Sequence, residues 1–334
     1  MKLPRLKALS GFLLAAVLTA PAWGADTALP GTLNYIEGQA SIGDQSLNAK
    51  SVGSIELQPG QTLTTGNGKA EILLTPGVFL RVGDNSTVKM ISSNLTNTQA
   101  DVMKGQATVE VAEIHQYNNL RVGEDGATTE MLKDGLYAFD ADQAQVRVLK
   151  GEAQVQDNDQ NVTVKGGHEL NLNASGRLKA TKFDKNAFEA SDLYRFSDLR
   201  SQYLAEANAA IARNYYAGGP GWYGAGWYWN PWFAGYTWIP GDGIFYSPFG
   251  WGFYSPWYVG YAPYYGFGYR RGFGYYERYY AGRAMPAPAA RVNPGRGLAA
   301  APAARTGFGV AGPAFHAGEF AGGGFHGGGG GGHR

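Results

Sequence analysis

Lys69-Ala70-Glu71-Ile72-Leu73-Leu74 runs into Thr75-Pro76-Gly77, and Val78-Phe79-Leu80-Arg81-Val82 follows at once, closed by Gly83-Asp84-Asn85. Two short apolar runs separated by proline and glycine read as two strands joined by a tight turn, because proline presets φ and glycine or Asn tolerates the positive φ that such turns use. The same grammar extends in both directions. Thr87–Ile91, Thr108–Val111 and Ala144–Leu149 are further strand candidates, and Gln145-Val146-Arg147-Val148 alternates with the period of a half-buried strand. Gln58-Pro59-Gly60, Thr65-Gly66-Asn67-Gly68, Lys133-Asp134-Gly135 and Lys165-Gly166-Gly167 supply turn chemistry between them. No helical period of useful length occurs from Leu33 to Phe183, so this stretch is predicted to be all-β.

A small unit recurs inside it. Gly38-Gln-Ala-Ser-Ile42 returns as Gly105-Gln-Ala-Thr-Val109 and as Gly151-Glu-Ala-Gln-Val155. Each is a glycine opening a strand whose alanine and β-branched residue, two apart, fall on one face. Leu57-Gln-Pro-Gly-Gln-Thr-Leu63 and Val164-Lys-Gly-Gly-His-Glu-Leu170 follow the first and third copies. The intervals are irregular, which excludes a strict short-period solenoid and predicts a β-unit used more than once.

The order of these elements resembles the FecR periplasmic domain: Gly-x-Ala-x-(Ile/Val), a Gly-Gln turn, Thr64 to Leu74, Gly77 to Gly83, then Ser86-Thr87-Val88. The resemblance covers about residues 33 to 180. It implies an extracytoplasmic, β-solenoid-like or sandwich-like domain. In that family the domain often relays a signal from an outer-membrane receptor to a sigma factor, through an inner-membrane helix and a cytoplasmic anti-sigma part. Neither a membrane helix nor a cytoplasmic segment is expected ahead of the β domain, so the transmembrane relay is not carried over from the resemblance.

After Phe183 the period changes. Leu193, Phe196, Tyr203, Ala207, Ala210 and Ile211 fall mostly at three- and four-residue steps, with Arg195, Asp198, Arg200, Gln202 and Glu206 between them. This predicts one amphipathic helix from about Ser191 to Tyr215, capped by Ser191 or Asp192, stopped by Gly218 and closing an open end or edge of the β domain. Beyond it the composition breaks. Trp222, Trp227, Trp229, Trp232, Trp238, Trp251 and Trp257 lie among Tyr, Gly and Pro, and tyrosine with glycine dominates from Tyr258 to Tyr280. A helix followed by such phrases resembles exported bacterial FecR-domain proteins with an aromatic C-terminal region. The predicted organisation is a signal peptide at 1–24, a FecR-like β domain at 25–183, a helix at 184–217, an aromatic segment at 218–281 and a disordered Ala/Pro/Gly-rich tail at 282–334.

The signal peptide rests on Lys2, Arg5 and Lys7, the apolar run Gly11–Ala20, and small residues Ala22 and Gly24 ahead of Ala25. The apolar run is too short for a permanent span, and none is expected in the mature chain. Export to the periplasm or cell surface is expected. The chain has 334 residues, no cysteine, a net charge of +1 and 50 glycines. Its core therefore holds without disulfides, and no field covers the molecule that would select nucleic acid. Arg270-Arg271-Gly-Phe-Gly-Tyr-Tyr276 looks like an Arg/aromatic nucleic-acid segment, but in an exported chain arginine is expected to stack on rings or meet anionic lipid or polysaccharide.

No catalytic constellation can be assembled. His115, His168, His316, His326 and His333 show no metal-ligand spacing, no serine sits in a nucleophile elbow, and the glycines form no phosphate loop. A non-enzymatic chain without cofactor or metal is expected. Exposed aromatic rings are costly in water, so the seven tryptophans, Trp222 to Trp257, are candidates for a glycan platform. The competing reading folds the Trp-rich part back onto the β domain as extra core. The leading function is an envelope binding or scaffolding module for a protein or polysaccharide. The alternatives are an adhesive matrix protein that self-associates through its Tyr/Gly part, and a soluble component of a FecR-type relay.

Overall fold

The computed structural model describes residues 28–262 apart from Gln116 and Pro220. The proposed signal peptide, Arg270 and Arg271, the tyrosines beyond Tyr261, the Ala/Pro/Gly tail and His316, His326 and His333 lie outside the described residues. Within them, strands β1 (Leu33–Ile42), β2 (Gln45–Ser46), β3 (Thr62–Leu73), β4 (Val78–Val82), β5 (Thr87–Asn94), β6 (Asn97–Lys104) and β7 (Gln106–Val111) come first. Then follow β8 (Asn119–Glu124), β9 (Ala127–Met131), β10 (Gly135–Asp140), β11 (Gln145–Lys150), β12 (Glu152–Asp157), β13 (Gln160–Lys165), β14 (His168–Asn171) and β15 (Thr181–Lys182). All belong to one hydrogen-bonded sheet of 15 strands, in which β6–β8 is a parallel pair and the other pairings are antiparallel.

The sheet is folded on itself. The first half of β3 pairs β5 through Thr62–Thr64, and its second half pairs β4 through Ala70–Leu73. One layer therefore runs β3, β5, β6, β8, β9, β12, β13, and the other β3, β4, β7, β10, β11, β14, β15. One apolar core lies between them, with Val88, Val102, Val122 and Val155 from the first layer and Ile72, Leu80, Val109 and Val148 from the second. The fold is all-β and sandwich-like.

The recurring glycine unit is where the chain changes layer. Gly105 joins β6 to β7 and Gly151 joins β11 to β12, with φ of 69° and 96°. Gly38, with φ 64°, sits where β1 slips register against β3 and passes to the other layer. After each corner the alanine and the β-branched residue two further on enter the core: Ala40 and Ile42, Ala107 and Val109, Ala153 and Val155. The predicted turn Thr65–Gly68 is instead the bend of β3 itself, with no positive φ. Glycine is needed there for close approach, since a Cβ on Gly68 would press into the backbone of Glu37 and Gln39.

The helix predicted from about Ser191 to Tyr215 is one continuous helix, and a separate short helix precedes it within 184–217. Asp184 caps α1 (Lys185–Glu189), and Ser191 caps α2 (Asp192–Tyr216) by accepting from the Tyr194 N–H at 3.3 Å. Ala217 ends α2 and Gly218 follows at φ 88°. Rather than closing an end or edge, α2 lies on the outer face of the second layer, where Ser197 meets Thr108 at 2.9 Å. Two hairpins complete this third layer: β16 (Gly226–Asn230) with β17 (Gly235–Ile239), and β18 (Ile244–Tyr246) with β19 (Gly252–Tyr254). Strands β4 and β10 are consequently buried along their whole length, whereas β5 and β6 alternate buried with accessible positions. One outer face is sealed and the other is open.

Candidate functional site

The sealed face is held by a polar cluster that the apolar pattern of α2 conceals. Arg81, fully buried, donates from Nε to Glu71 at 2.8 Å and from Nη1 to Glu110 at 2.5 Å. Arg200 of α2 donates to the other oxygen of Glu71 at 2.9 Å, and its guanidinium lies 4.1 Å from the Tyr35 ring centroid. Ser201 donates to Glu110 at 2.8 Å. Arg200 was expected on the solvent side of the helix; the carboxylate of Glu71 brings it onto the buried side, and Ala210 faces outward instead. Burial pushes Glu71 up, but Arg200, Arg81 and the Asn34 amide outweigh it and hold the carboxyl at about 2. Burial keeps the Glu110 carboxyl above the usual range, because Arg81 is its one cation and, with the Ser201 hydroxyl, does not outweigh the loss of solvent. Both carboxylates are paired within this cluster, while Arg81 Nη2 and Arg200 Nε keep no partner, and the pairing of Arg200 and Ser201 with Glu71 and Glu110 latches α2 onto the sheet.

Two buried asparagines hold the hairpins, one from β1 of the sandwich and one from α2. The Asn34 amide donates to Glu71 and to the Tyr236 carbonyl and accepts from the Tyr236 N–H at 2.7 Å. Asn208 of α2 donates to the carbonyls of Trp238 and Tyr254 and accepts from the Tyr254 N–H at 2.8 Å. Each stands in for a missing strand partner.

The seven candidate tryptophans separate accordingly. Trp227, Trp238 and Trp251 are buried with Leu73, Phe79 and Phe253 beneath α2. Trp251 Nε1 donates to Asp198 at 2.8 Å. Trp229 stands edge-on to Tyr236 and rests on Gly53, and Trp222 stands edge-on to Trp257. Trp232 and Trp257 are 86% and 65% exposed. The chain therefore brings Trp227, Trp238 and Trp251 together as core and leaves Trp229, Trp232 and Trp257 with accessible rings.

Sequence reasoning did not find the open face. Because β6, β8, β9, β12 and β13 send alternate residues inward, the others line up across the strands. Gln99, Arg121, Glu130, Gln154 and Thr163 share one register line, and Asp101, Gly123, Thr128, Gln156 and Asn161 share the next. Arg121 Nη2 donates to Asn97 at 2.6 Å, which fixes the guanidinium while its buried Nε keeps no partner. Thr163 donates to Gln154 at 3.0 Å. Around Arg121, Glu130, Gln154 and Gln156 the face sinks into a groove of about 480 Å³, with Tyr117 from the β7–β8 loop at its end. The Tyr117 ring is 82% exposed. Only the alternation of amides with core residues, Gln154-Val155-Gln156 for instance, signals this face in the sequence.

The remaining candidates assemble nothing further. His115 is an exposed residue with Nε2 3.4 Å from Glu113, and His168 opens β14 with Nδ1 near the Lys165 carbonyl. Among the described residues no group of three or more His, Cys, Asp or Glu side chains is placed to hold a metal ion. No described helix is long and apolar enough to cross a membrane.

The pattern that defines the family described as FecR protein matches residues 61–156, from β3 to β12. The chain carries a FecR domain. Two crystal structures of a candidate anti-sigma factor from Parabacteroides distasonis, at 1.65 and 2.50 Å resolution, are similar to it at 14% identity. They align with TM-scores of 0.33 and 0.34, over 38% and 39% of this chain and 61% and 62% of theirs. No curated protein matches.

Proposed function

We propose that the chain is a non-catalytic binding module of the cell envelope, and that the open outer face of its FecR-domain sandwich is the surface that binds. The observation that carries this is the asymmetry of the two faces. One is sealed by a latched helix and two aromatic hairpins, while the other presents a grooved, oriented polar array with no layer of the described chain upon it. A sheet needs only one buried face for stability, so the open face is free to serve a partner. The FecR match supports a regulatory rather than catalytic setting. The accessible rings of Trp229, Trp232 and Trp257 favour a second reading, an adhesive surface made by the aromatic segment.

The test uses the full-length chain and envelopes isolated from the cells that produce it. Wild type should sediment with them, and the variant carrying Arg121→Ala, Gln154→Ala and Gln156→Ala should stay in solution with an unchanged circular dichroism spectrum. Equal sedimentation of the two would remove the open face as the binding surface.

A further inference from the structure

We infer that the groove on the open face is a glycan site, which takes an extended chain of uncharged or N-acetylated sugars laid across the strands. This rests on the open face being the binding surface and adds the class of ligand. Neighbouring strands lie about 4.8 Å apart, so a register line over five of them spans about 19 Å, room for several pyranose rings end to end. Along that line the side chains are amides, a hydroxyl, one guanidinium and one carboxylate. Amides both donate and accept, as sugar hydroxyls do, so each Gln or Asn can serve a hydroxyl in either sense. Arg121 is held in place by Asn97 and lines the groove, so its guanidinium is the one fixed cation a bound sugar would meet there.

The second line adds shape. Gly123 has no side chain, and the Asp101 carboxylate lies where its Cβ would be, leaving a low acceptor shelf. At the end of the groove Tyr117 presents a ring with little packed against it, and an aromatic face suits the C–H face of a pyranose. Other ligand classes fit less well. The lines carry Arg121 against Glu130 and Asp101, too little positive charge for an anionic polymer. They also lack the aromatic and Met cluster that centres a protein interface.

Two envelope sources share this chemistry, peptidoglycan strands and neutral exopolysaccharide, so two probes are used with the full-length chain. One is peptidoglycan sacculi stripped of protein by protease; the other is hydroxyethyl cellulose cast into a native gel. The double variant Tyr117→Ala/Gln156→Ala should lose about tenfold or more in retention, whereas Trp232→Ala should bind as wild type. Thermal melts of both variants should match wild type, since the three side chains are exposed. Retention on sacculi alone would point to peptidoglycan, and retardation in the gel as well to neutral β-linked chains generally. No retention on either probe, or equal retention of the double variant, would overturn the glycan assignment. Loss of envelope binding after protease stripping, with its dependence on Gln156 intact before stripping, would keep the binding face and make the ligand a protein. Face-independent envelope binding would remove both.

Discussion

Replacing Arg81 with methionine should be among the most damaging single changes to this protein, although it removes a charge and keeps the volume. Arg81 is fully buried between Glu71 and Glu110, at 2.8 and 2.5 Å. Its removal strands Glu110 with only the Ser201 hydroxyl, while Glu71 keeps Arg200 and Asn34. Breaking a buried pair from one side costs about 3–5 kcal/mol, because the remaining charge must be neutralised in place. Adding Glu110→Gln removes the stranded carboxyl and still offers an acceptor to Ser201, so the double variant should regain at least about 1 kcal/mol. The defect should also depend on pH. A carboxyl without its cation is raised in the folded state, so its stabilising protonation is complete below its unfolded pKa and is lost as pH rises. The loss should therefore be larger at pH 8 than at pH 5. Urea unfolding followed by tryptophan fluorescence measures this directly, since Trp227, Trp238 and Trp251 sit in the layer the latch secures. A loss below about 1 kcal/mol, or no recovery in the double variant, would refute the reasoning.

Three further outcomes follow from the same geometry. Gly105→Ala should destabilise by more than about 1 kcal/mol, because φ is 69° and a Cβ would press on Ser86; a neutral denaturation midpoint would show that the corner is not strained. Glu124 is pushed up to about 8, first by burial and then by Asp140 and Asp125, against the Gln145 N–H it accepts. Its stabilising protonation is thus lost as pH rises from about 4.5 to 8, and Glu124→Gln should flatten the fall of Tm over that window; an unchanged profile would contradict the assignment. Trp238→Ala should cost about 3–5 kcal/mol and Trp232→Ala less than about 0.5, read from chemical denaturation, since the first is fully buried and the second is not.

Much of the sandwich is legible in the sequence because its determinants are local. Gly38, Gly105 and Gly151 announce corners, Pro76-Gly77 a turn, and Ser191 a helix start, each through the conformation of one or two residues. What the sequence hides is long-range. Thr65–Gly68 has the composition of a turn, and only the pairing of β3 with strands of both layers makes it a bend within one strand. Arg200 looks like a solvent residue until Glu71, far away in the chain, is placed beneath it. The folded hairpins depend on Asn34 and Asn208, polar residues whose role exists only once their partners have arrived. The open groove is a property of register across five strands, and no single segment carries it.

Which surface is covered when the protein is bound can be measured directly, because the sequence contains no cysteine. Gln156→Cys reports on the open face and Trp232→Cys on the exposed aromatic hairpin, each as the only thiol in the chain. Maleimide labelling of the full-length variants, free and bound to isolated envelopes, gives a rate for each site. With the open face as the binding surface, labelling slows at position 156 and is unchanged at 232. Protection at 232 with free labelling at 156 would contradict it and assign attachment to the aromatic segment.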